Sequence, residues 1–374
     1  MKKRTVAFSK DSSNLFFHIL TKCNLSCRHC YINPEQHGEN TLTIDTIREW
    51  LHLFSEKCDQ TNVIFLGGEP TLHPDLSLAV REARRLRFKS ITIDTNGYLF
   101  HDILDRITPD EVDFISFSLD GATQKTNDSI RGAGTYDRVV TGIRRAVERG
   151  FSTSMIYTVS SANLHELALM PDLIMGLGIE RFFIQVIGIR GTSSTKESSE
   201  SASDQCNKNS FQRQVSMRAW IETVPDVAQK VAQLGITVTY PKVFLEAGEL
   251  FECAGVVADN YFIFPNGRVY RCPLCEDYPL HSLEIRGDNG NNVALDSAHI
   301  TSASKKGSII SISKTDTIVS TPKINESDLF KLDIPEGCVM NKLVQPGNLA
   351  YNPDGTACYR VACCMLKEEI SPGC

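Results

Sequence analysis

The feature that most constrains this chain is a repeated alternation of short β-rich runs with helical stretches, from residue 15 to about 188. Strands are predicted at 15–20, 62–66, 90–94, 114–119, 153–159 and 181–187, with helices near 44–56, 76–86, 100–107, 136–148 and 164–175. Asp45 and Asn163 stand where N-terminal caps or near-cap residues of two helices belong. Gly150 and Gly178 stand where a helix must end and the chain reverse through positive φ. Six βα repeats give an α/β fold with a parallel sheet, because each crossover is helical. Repeats alone do not separate a curved barrel from an open sheet.

The first strand runs straight into Cys23-Asn24-Leu25-Ser26-Cys27-Arg28-His29-Cys30, a CxxxCxxC stretch. Three thiolates on a loop leaving a strand can wrap one small inorganic centre. A [4Fe–4S] cube usually takes four cysteines, so a three-cysteine loop leaves one iron open to another ligand. Structural zinc sites pair cysteines as CxxC with partners further along, and ferredoxin runs step uniformly by CxxC. The present spacing departs from both.

In parallel α/β folds, barrel or open sheet, chemistry gathers at the C-terminal ends of the strands, and the next motifs fall there. Gly67-Gly68-Glu69-Pro70 follows the second strand. Its glycines permit close backbone approach, and its carboxylate can accept from an ammonium; in isolation it reads as a turn before a helix. Thr95-Asn96-Gly97 ends the third strand, and Ser116-Phe117-Ser118-Leu119-Asp120-Gly121 ends the fourth. Arg131 lies shortly beyond, and Thr158 to Asn163 form the exit of the fifth.

Held in this order across six strands, these residues resemble the radical S-adenosylmethionine (SAM) superfamily. The resemblance implies a partial (β/α)6 barrel and a [4Fe–4S] cluster on Cys23, Cys27 and Cys30. It implies SAM chelated to the open iron, and usually a 5′-deoxyadenosyl radical. It assigns Gly67, Gly68, Glu69 and Pro70 to the SAM amino group, and Asn96 and Ser118 to its ribose and methionine part. Arg131 would pair with the SAM carboxylate; read without the family it is a surface arginine at a helix entry. His29 takes the aromatic slot near the adenine, and Thr158 to Asn163 the adenine side.

Beyond residue 190 the character changes. Residues 191–210 are polar and nearly free of apolar side chains, and are read as a loop. A helix near 212–234 and a strand at 236–240 lead to a second cysteine region. Cys253, Gly267, Cys272 and Cys275 frame a predicted hairpin that turns at Pro265-Asn266-Gly267. A hairpin plus CxxC also suits zinc. The spacing resembles the opening of SPASM and twitch extensions, which implies an auxiliary iron–sulfur cluster on Cys253, Cys272, Cys275 and one later cysteine, Cys338 or Cys358. The full SPASM pattern then fails: a polar stretch intervenes, and the chain ends with Cys363-Cys364 and Cys374. Neighbouring residues of an extended chain face opposite ways, so the vicinal pair suits one cluster poorly; it could take a soft ion or carry redox chemistry. The pair loosely resembles the terminal motif of radical SAM enzymes that form organoarsenicals.

Thirteen cysteines without a secretion signal argue for metal ligation over disulfides and for a cytoplasmic setting. A net charge of −6 gives no electrostatic case for nucleic acid or anionic membrane, and no apolar run approaches the roughly 20 residues of a membrane span. The expected organisation is a barrel core at 1–190, a polar loop at 191–210, a linking helix and strand at 211–250 and a SPASM/twitch-like domain at 251–374. The expected function is radical modification of a peptide or protein, with a reductant such as flavodoxin or ferredoxin. A small-molecule synthase, such as an organoarsenical-forming enzyme, is the alternative. A non-catalytic iron–sulfur sensor is the third reading; the intact GGEP and Arg131 speak against it, since a sensor needs no clamp for SAM.

Overall fold

The computed structural model describes residues 2–7, 13–54, 59–187, 191–194, 215–241, 259–270, 283–284, 309–312, 316–319, 350–351, 357–358 and 366–372. The strands are β1 (Lys2–Ala7), β2 (Ser13–His18), β3 (Thr61–Leu66), β4 (Ser90–Thr95), β5 (Phe114–Ser118), β6 (Thr153–Val159), β7 (Arg181–Val186) and β8 (Thr237–Pro241). They continue as β9 (Asp259–Ile263), β10 (Arg268–Tyr270), β11 (Leu283–Glu284), β12 (Ile309–Ile312), β13 (Asp316–Val319), β14 (Ala350–Tyr351), β15 (Ala357–Cys358) and β16 (Leu366–Ser371). The α-helices are α1 (Pro34–His37), α2 (Ile44–His52), α3 (Leu76–Arg85), α4 (Ile103–Arg106), α5 (Gln124–Arg131), α6 (Thr135–Glu148), α7 (Met170–Gly176) and α8 (Met217–Gln233).

Twelve strands form one sheet in the order β1-β16-β8-β7-β6-β5-β4-β3-β2-β9-β10-β11. Each neighbouring pair from β2 to β8 is parallel. The parallel run is therefore one strand longer than the six expected repeats, because β8 pairs alongside β7. On the other side β9 adds parallel to β2 and turns back through β10. Leu15, Phe17, Val63, Phe65, Ile91, Ile115, Phe117, Met155 and Phe182 are buried beneath the helices. They alternate along their strands as a half-buried pleat requires.

The sheet curls. On a flat sheet β2 and β5 would lie roughly 14 Å apart, three spacings of about 4.8 Å. Yet His29, beyond β2, brings Nε2 to 3.2 Å from Oδ2 of Asp120, beyond β5. Thr192, beyond β7, donates its backbone N–H to the carbonyl of Cys30 at 2.8 Å. The strand ends thus converge on the cysteine loop. No helix among the described residues is long and apolar enough to cross a membrane.

Several local expectations are corrected. The cap of α2 is Thr43, whose side chain accepts from the N–H of Thr46, while Asp45 sits in the first turn and pairs with Arg48. Asn163 does stand at the N-cap of the turn that begins at Leu164, but without a side-chain cap bond; its Oδ1 accepts from Ser160 N–H, and its amide donates to the carbonyls of Asp120 and Thr158. The helices expected at 100–107 and 164–175 each begin as 3₁₀ turns, Phe100–Asp102 and Leu164–Leu169, before the α-helical parts. Leu99, His101 and Asp102 have positive φ there, which local propensity does not favour. α5 was not foreseen, since its eight residues carry only one apolar side chain, Ile130. Gly150 and Gly178 do take positive φ, at 79° and 70°.

Candidate functional site

The cysteine loop leaves β2 at the C-terminal end of the sheet, and its course is set by backbone contacts. The N–H groups of Gly68 and Glu69 donate to the carbonyls of Leu20 and Lys22, both at 3.0 Å. A Cβ on Gly68 would lie 2.4 Å from the carbonyl oxygens of Thr21 and Lys22, and one on Gly67 2.5 Å from that of Leu20. The two glycines are therefore demanded by the approach of β3's exit to the cysteine loop. On the other flank, Arg28 N–H donates to the Ile130 carbonyl at 3.0 Å. Cys23, Cys27 and Cys30 form no disulfide among the described residues, and each is partly exposed.

Glu69 is completely buried. Its Oε1 accepts from Thr71 N–H at 3.1 Å, Thr71 Oγ1 at 2.6 Å and Thr95 Oγ1 at 2.7 Å. Among the described residues its Oε2 accepts from Asn96 N–H alone, at 2.7 Å. Burial raises this carboxyl above the usual range, against the pull of those four donors. The carboxylate ties the ends of β3 and β4 together. Asn96 carries that tie to the cysteine loop: its Nδ2 donates to Asn24 Oδ1 at 2.8 Å and lies 3.9 Å from Cys23 Sγ. Pro70 is buried and opens a 3₁₀ turn. Ser118 is half-buried at the end of β5.

A second tie comes from Asp120, fully buried beyond β5. Its Oδ2 accepts from Arg131 Nε at 2.6 Å and meets His29 Nε2 at 3.2 Å, and its Oδ1 accepts from Thr158 N–H at 2.7 Å. Burial alone would raise this carboxyl, but Arg131 and His29 outweigh it and hold it at about 2. Arg131 is not a surface arginine: it ends α5, nine-tenths buried. Only its Nε is engaged among the described residues, so the two Nη nitrogens remain for a ligand's carboxylate. The Arg131 carbonyl lies 3.9 Å from Cys27 Sγ. In the sequence Asp120 stands out only as part of the Ser116–Gly121 motif, a lone carboxylate at a strand end followed by Gly121, whose Cβ would meet Asn127 N at 2.4 Å.

The donor set suits a cluster. No three His, Cys, Asp or Glu side chains among the described residues converge as they would around one metal ion. A cube instead gives each cysteine its own iron. Burial pushes the Cys23 thiol up to about 12, and raises that of Cys27 against the charge of Arg131. Cys23 and Cys27 are thus neutral thiols when the loop is empty of metal, and metal binding must displace their protons. Metal-free protein should therefore react with iodoacetamide at Cys23, at pH 8, roughly a hundred- to a thousand-fold more slowly than an unshifted thiol. Peptide mass spectrometry over time would show this, and reaction at the ordinary rate would refute it.

Of the second cysteine region, the hairpin is present: β9 and β10 pair with Ile263 opposite Val269, and Gly267, with φ of 84°, closes the turn onto Phe264. Cys253, Cys272, Cys275 and Cys338 lie outside the described residues, as do Cys58, Cys206, Gly188, residues 195–210 and the Cys363-Cys364 pair. Cys358 lies on β15 opposite Ala350 of β14.

Residues 18–174 match the model of the Radical SAM superfamily. A protein named probable GTP 3′,8-cyclase, from Saccharolobus islandicus, is 24% identical over 288 residues, covering 76% of this chain and 91% of that protein. Fe-coproporphyrin III synthase of Methanosarcina barkeri is 28% identical over 196 residues, 51% of this chain and 48% of its own. Among solved structures, Streptococcus suis SuiB bound to S-adenosylmethionine aligns with a TM-score of 0.53 at 15% identity, over 71% of this chain and 60% of SuiB. Native anSMEcpe with bound AdoMet aligns with a TM-score of 0.53 at 16% identity, over 72% and 75%. At these identities the solved structures speak to the fold.

Proposed function

This chain carries a radical SAM domain and is an enzyme of that kind, and from that premise we propose that it modifies a peptide or protein through reductive cleavage of SAM. When bound, the [4Fe–4S] cluster supplies the electron that breaks the sulfonium and yields a 5′-deoxyadenosyl radical. The observation that carries the reading of the site is the double tie on the cysteine loop. Glu69 and Asn96 hold its Cys23 end, and Asp120 and Arg131 its Cys27 end. Cys23, Cys27 and Cys30 would hold the cluster. Arg131 would present its Nη nitrogens to the SAM carboxylate, and the segment Gly67 to Pro70 would receive the amino group. The Glu69 carboxylate, saturated on one oxygen, acts chiefly by placing Asn96 and Thr95. Ser118 stands at a strand end open to the ribose side.

The peptide reading rests on the hairpin, which supports a SPASM/twitch-like segment and with it an auxiliary cluster on Cys253, Cys272, Cys275 and Cys338 or Cys358. A flavodoxin or ferredoxin is the proposed electron source, and a reducing cytoplasm the setting. The relatives named for GTP and coproporphyrin chemistry favour a second reading, a small-molecule substrate. The test is 5′-deoxyadenosine release by anaerobically reconstituted full-length protein, with candidate peptides against nucleoside triphosphates and tetrapyrroles. Product that carries a peptide mass supports the first reading and turnover of a small molecule the second. No SAM cleavage under any condition would refute both.

Arg131→Ala should keep the cluster and weaken SAM binding by about 1.5–3 kcal/mol, the worth of a charge-assisted hydrogen bond. Calorimetry on cluster-loaded protein checks it; unchanged affinity would remove Arg131 from the SAM site.

A further inference from the structure

The segment that follows Cys30 is clasped from two sides, and one clasp comes from far along the chain. Tyr31, the next residue, places its hydroxyl 2.7 Å from His18 Nε2. The other nitrogen of His18, Nδ1, lies 3.0 Å from the carbonyl of Ile263, at the end of β9. A carbonyl can only accept, so Nδ1 carries the proton; in the neutral ring Nε2 then accepts from Tyr31. The His18 ring stacks on Phe264, centroids 4.0 Å apart, and Phe264 stacks in turn on His37, at 3.8 Å. His18, His37, Phe264 and Tyr270 are all buried. On the opposite side, Thr192 N–H holds the Cys30 carbonyl, and a Cβ on Gly191 would lie 2.4 Å from that same oxygen. The third cysteine is thus fixed by the exit of β7 on one side and by the β9–β10 hairpin on the other.

We propose that His18 is a positioning residue for the cluster site, bridging the Ile263 carbonyl to the Tyr31 hydroxyl so that the β9–β10 hairpin sets the placement of Cys30. This rests on Cys30 being a cluster ligand. The hairpin lies outside the matched residues 18–174, yet it adds to the sheet beside β2 and reaches the cysteine loop through the His18 imidazole. The effect of His18 on SAM passes through Tyr31 and Cys30, and so reaches the iron that cysteine would bind. A buried ring hydrogen-bonded at both ends and stacked on a hairpin residue has little freedom to shift. That rigidity is what a ligand placed by one peptide bond requires.

The experiment uses reconstituted full-length protein, dithionite-reduced, titrated with SAM and followed by low-temperature electron paramagnetic resonance. Tyr31→Phe removes one oxygen, and His18→Phe keeps a ring for stacking while removing both hydrogen bonds. Each variant should assemble the cluster with wild-type iron and sulfide content. Each should show an altered g-tensor and need about tenfold more SAM for the spectral change, and the double variant should be no worse than the worse single one. Phe65→Leu, in the core, should lower the melting temperature and leave the SAM titration in place. Tyr31→Phe with an unaltered spectrum and titration would overturn the proposal, even if His18→Phe failed to fold. So would losses of SAM response that merely follow melting temperature across all variants, because packing alone would then explain them. Wild-type protein without a [4Fe–4S] signal would instead refute the reading of Cys30, and the proposal with it.

Discussion

Replacing Cys23, Cys27 and Cys30 together by alanine should leave the fold in place and abolish SAM cleavage. The loop is held by main-chain bonds, from Gly68, Glu69, Arg28 and Thr192, that alanine does not disturb. Its cysteine side chains are partly exposed and lie outside the apolar core. Their loss therefore removes a donor set and little packing. Far-UV circular dichroism should match the wild type, and chromatography should find no 5′-deoxyadenosine above background. Cleavage at the wild-type rate would refute the assignment of the site. The same variant should retain the iron of the proposed auxiliary cluster. Replacement of Cys363 or Cys364 should leave most of that iron in place. A triple variant without iron would count against the ligand set built on Cys253, Cys272 and Cys275.

The second large effect concerns stability. Asp120→Asn should destabilise the protein by about 3–5 kcal/mol, because it strands a buried guanidinium beside an uncharged amide. Thr158 N–H and His29 lose an ionised partner in the same substitution. SAM affinity should fall as well, since Arg131 loses the contact that aims it. The wild type should show the matching pH dependence. The Asp120 carboxyl is lowered from 3.8 to about 2, so its contribution is fully present above about pH 4. It is lost as pH falls through about 2. On the order of 2 kcal/mol should vanish over that interval, and the Asn variant should lack this component. Urea unfolding of both proteins from pH 5 to 2 measures it. Parallel pH profiles would show that Asp120 is not the group responsible.

The residues proposed for the site stand out in sequence where chemistry and spacing coincide. The three cysteines, Gly67 to Pro70 and Asn96 each fall directly after a predicted strand, and the sheet gathers strand ends at one edge. Arg131 was recognisable only by resemblance. Its helix has a single apolar residue and no strong periodic pattern, so nothing local distinguished a buried arginine from an exposed one. Sequence alone suggests Glu69 as a ligand for an ammonium; the fold adds that its carboxylate is bound by Thr71, Thr95 and Asn96. Thr71 is a neighbour on the same strand exit, but Thr95 and Asn96 come from the exit of β4, which no window of sequence could reveal.

What the sequence determined by itself is the α/β class, the succession of six strands and helices along the chain and the spacing of the thiol loop. These follow from periodicity and from the chemistry of neighbouring residues, which act over a few positions along the chain. What only the tertiary structure decided is which distant groups meet. The curl of the sheet brings Asp120 to His29 and Thr192 to Cys30. The addition of β9 beside β2 brings Ile263 to His18, across 245 positions of sequence. Such contacts carry no local signal, because they arise when separate strands bury their apolar faces together, and the polar groups at their ends then find partners by proximity in space.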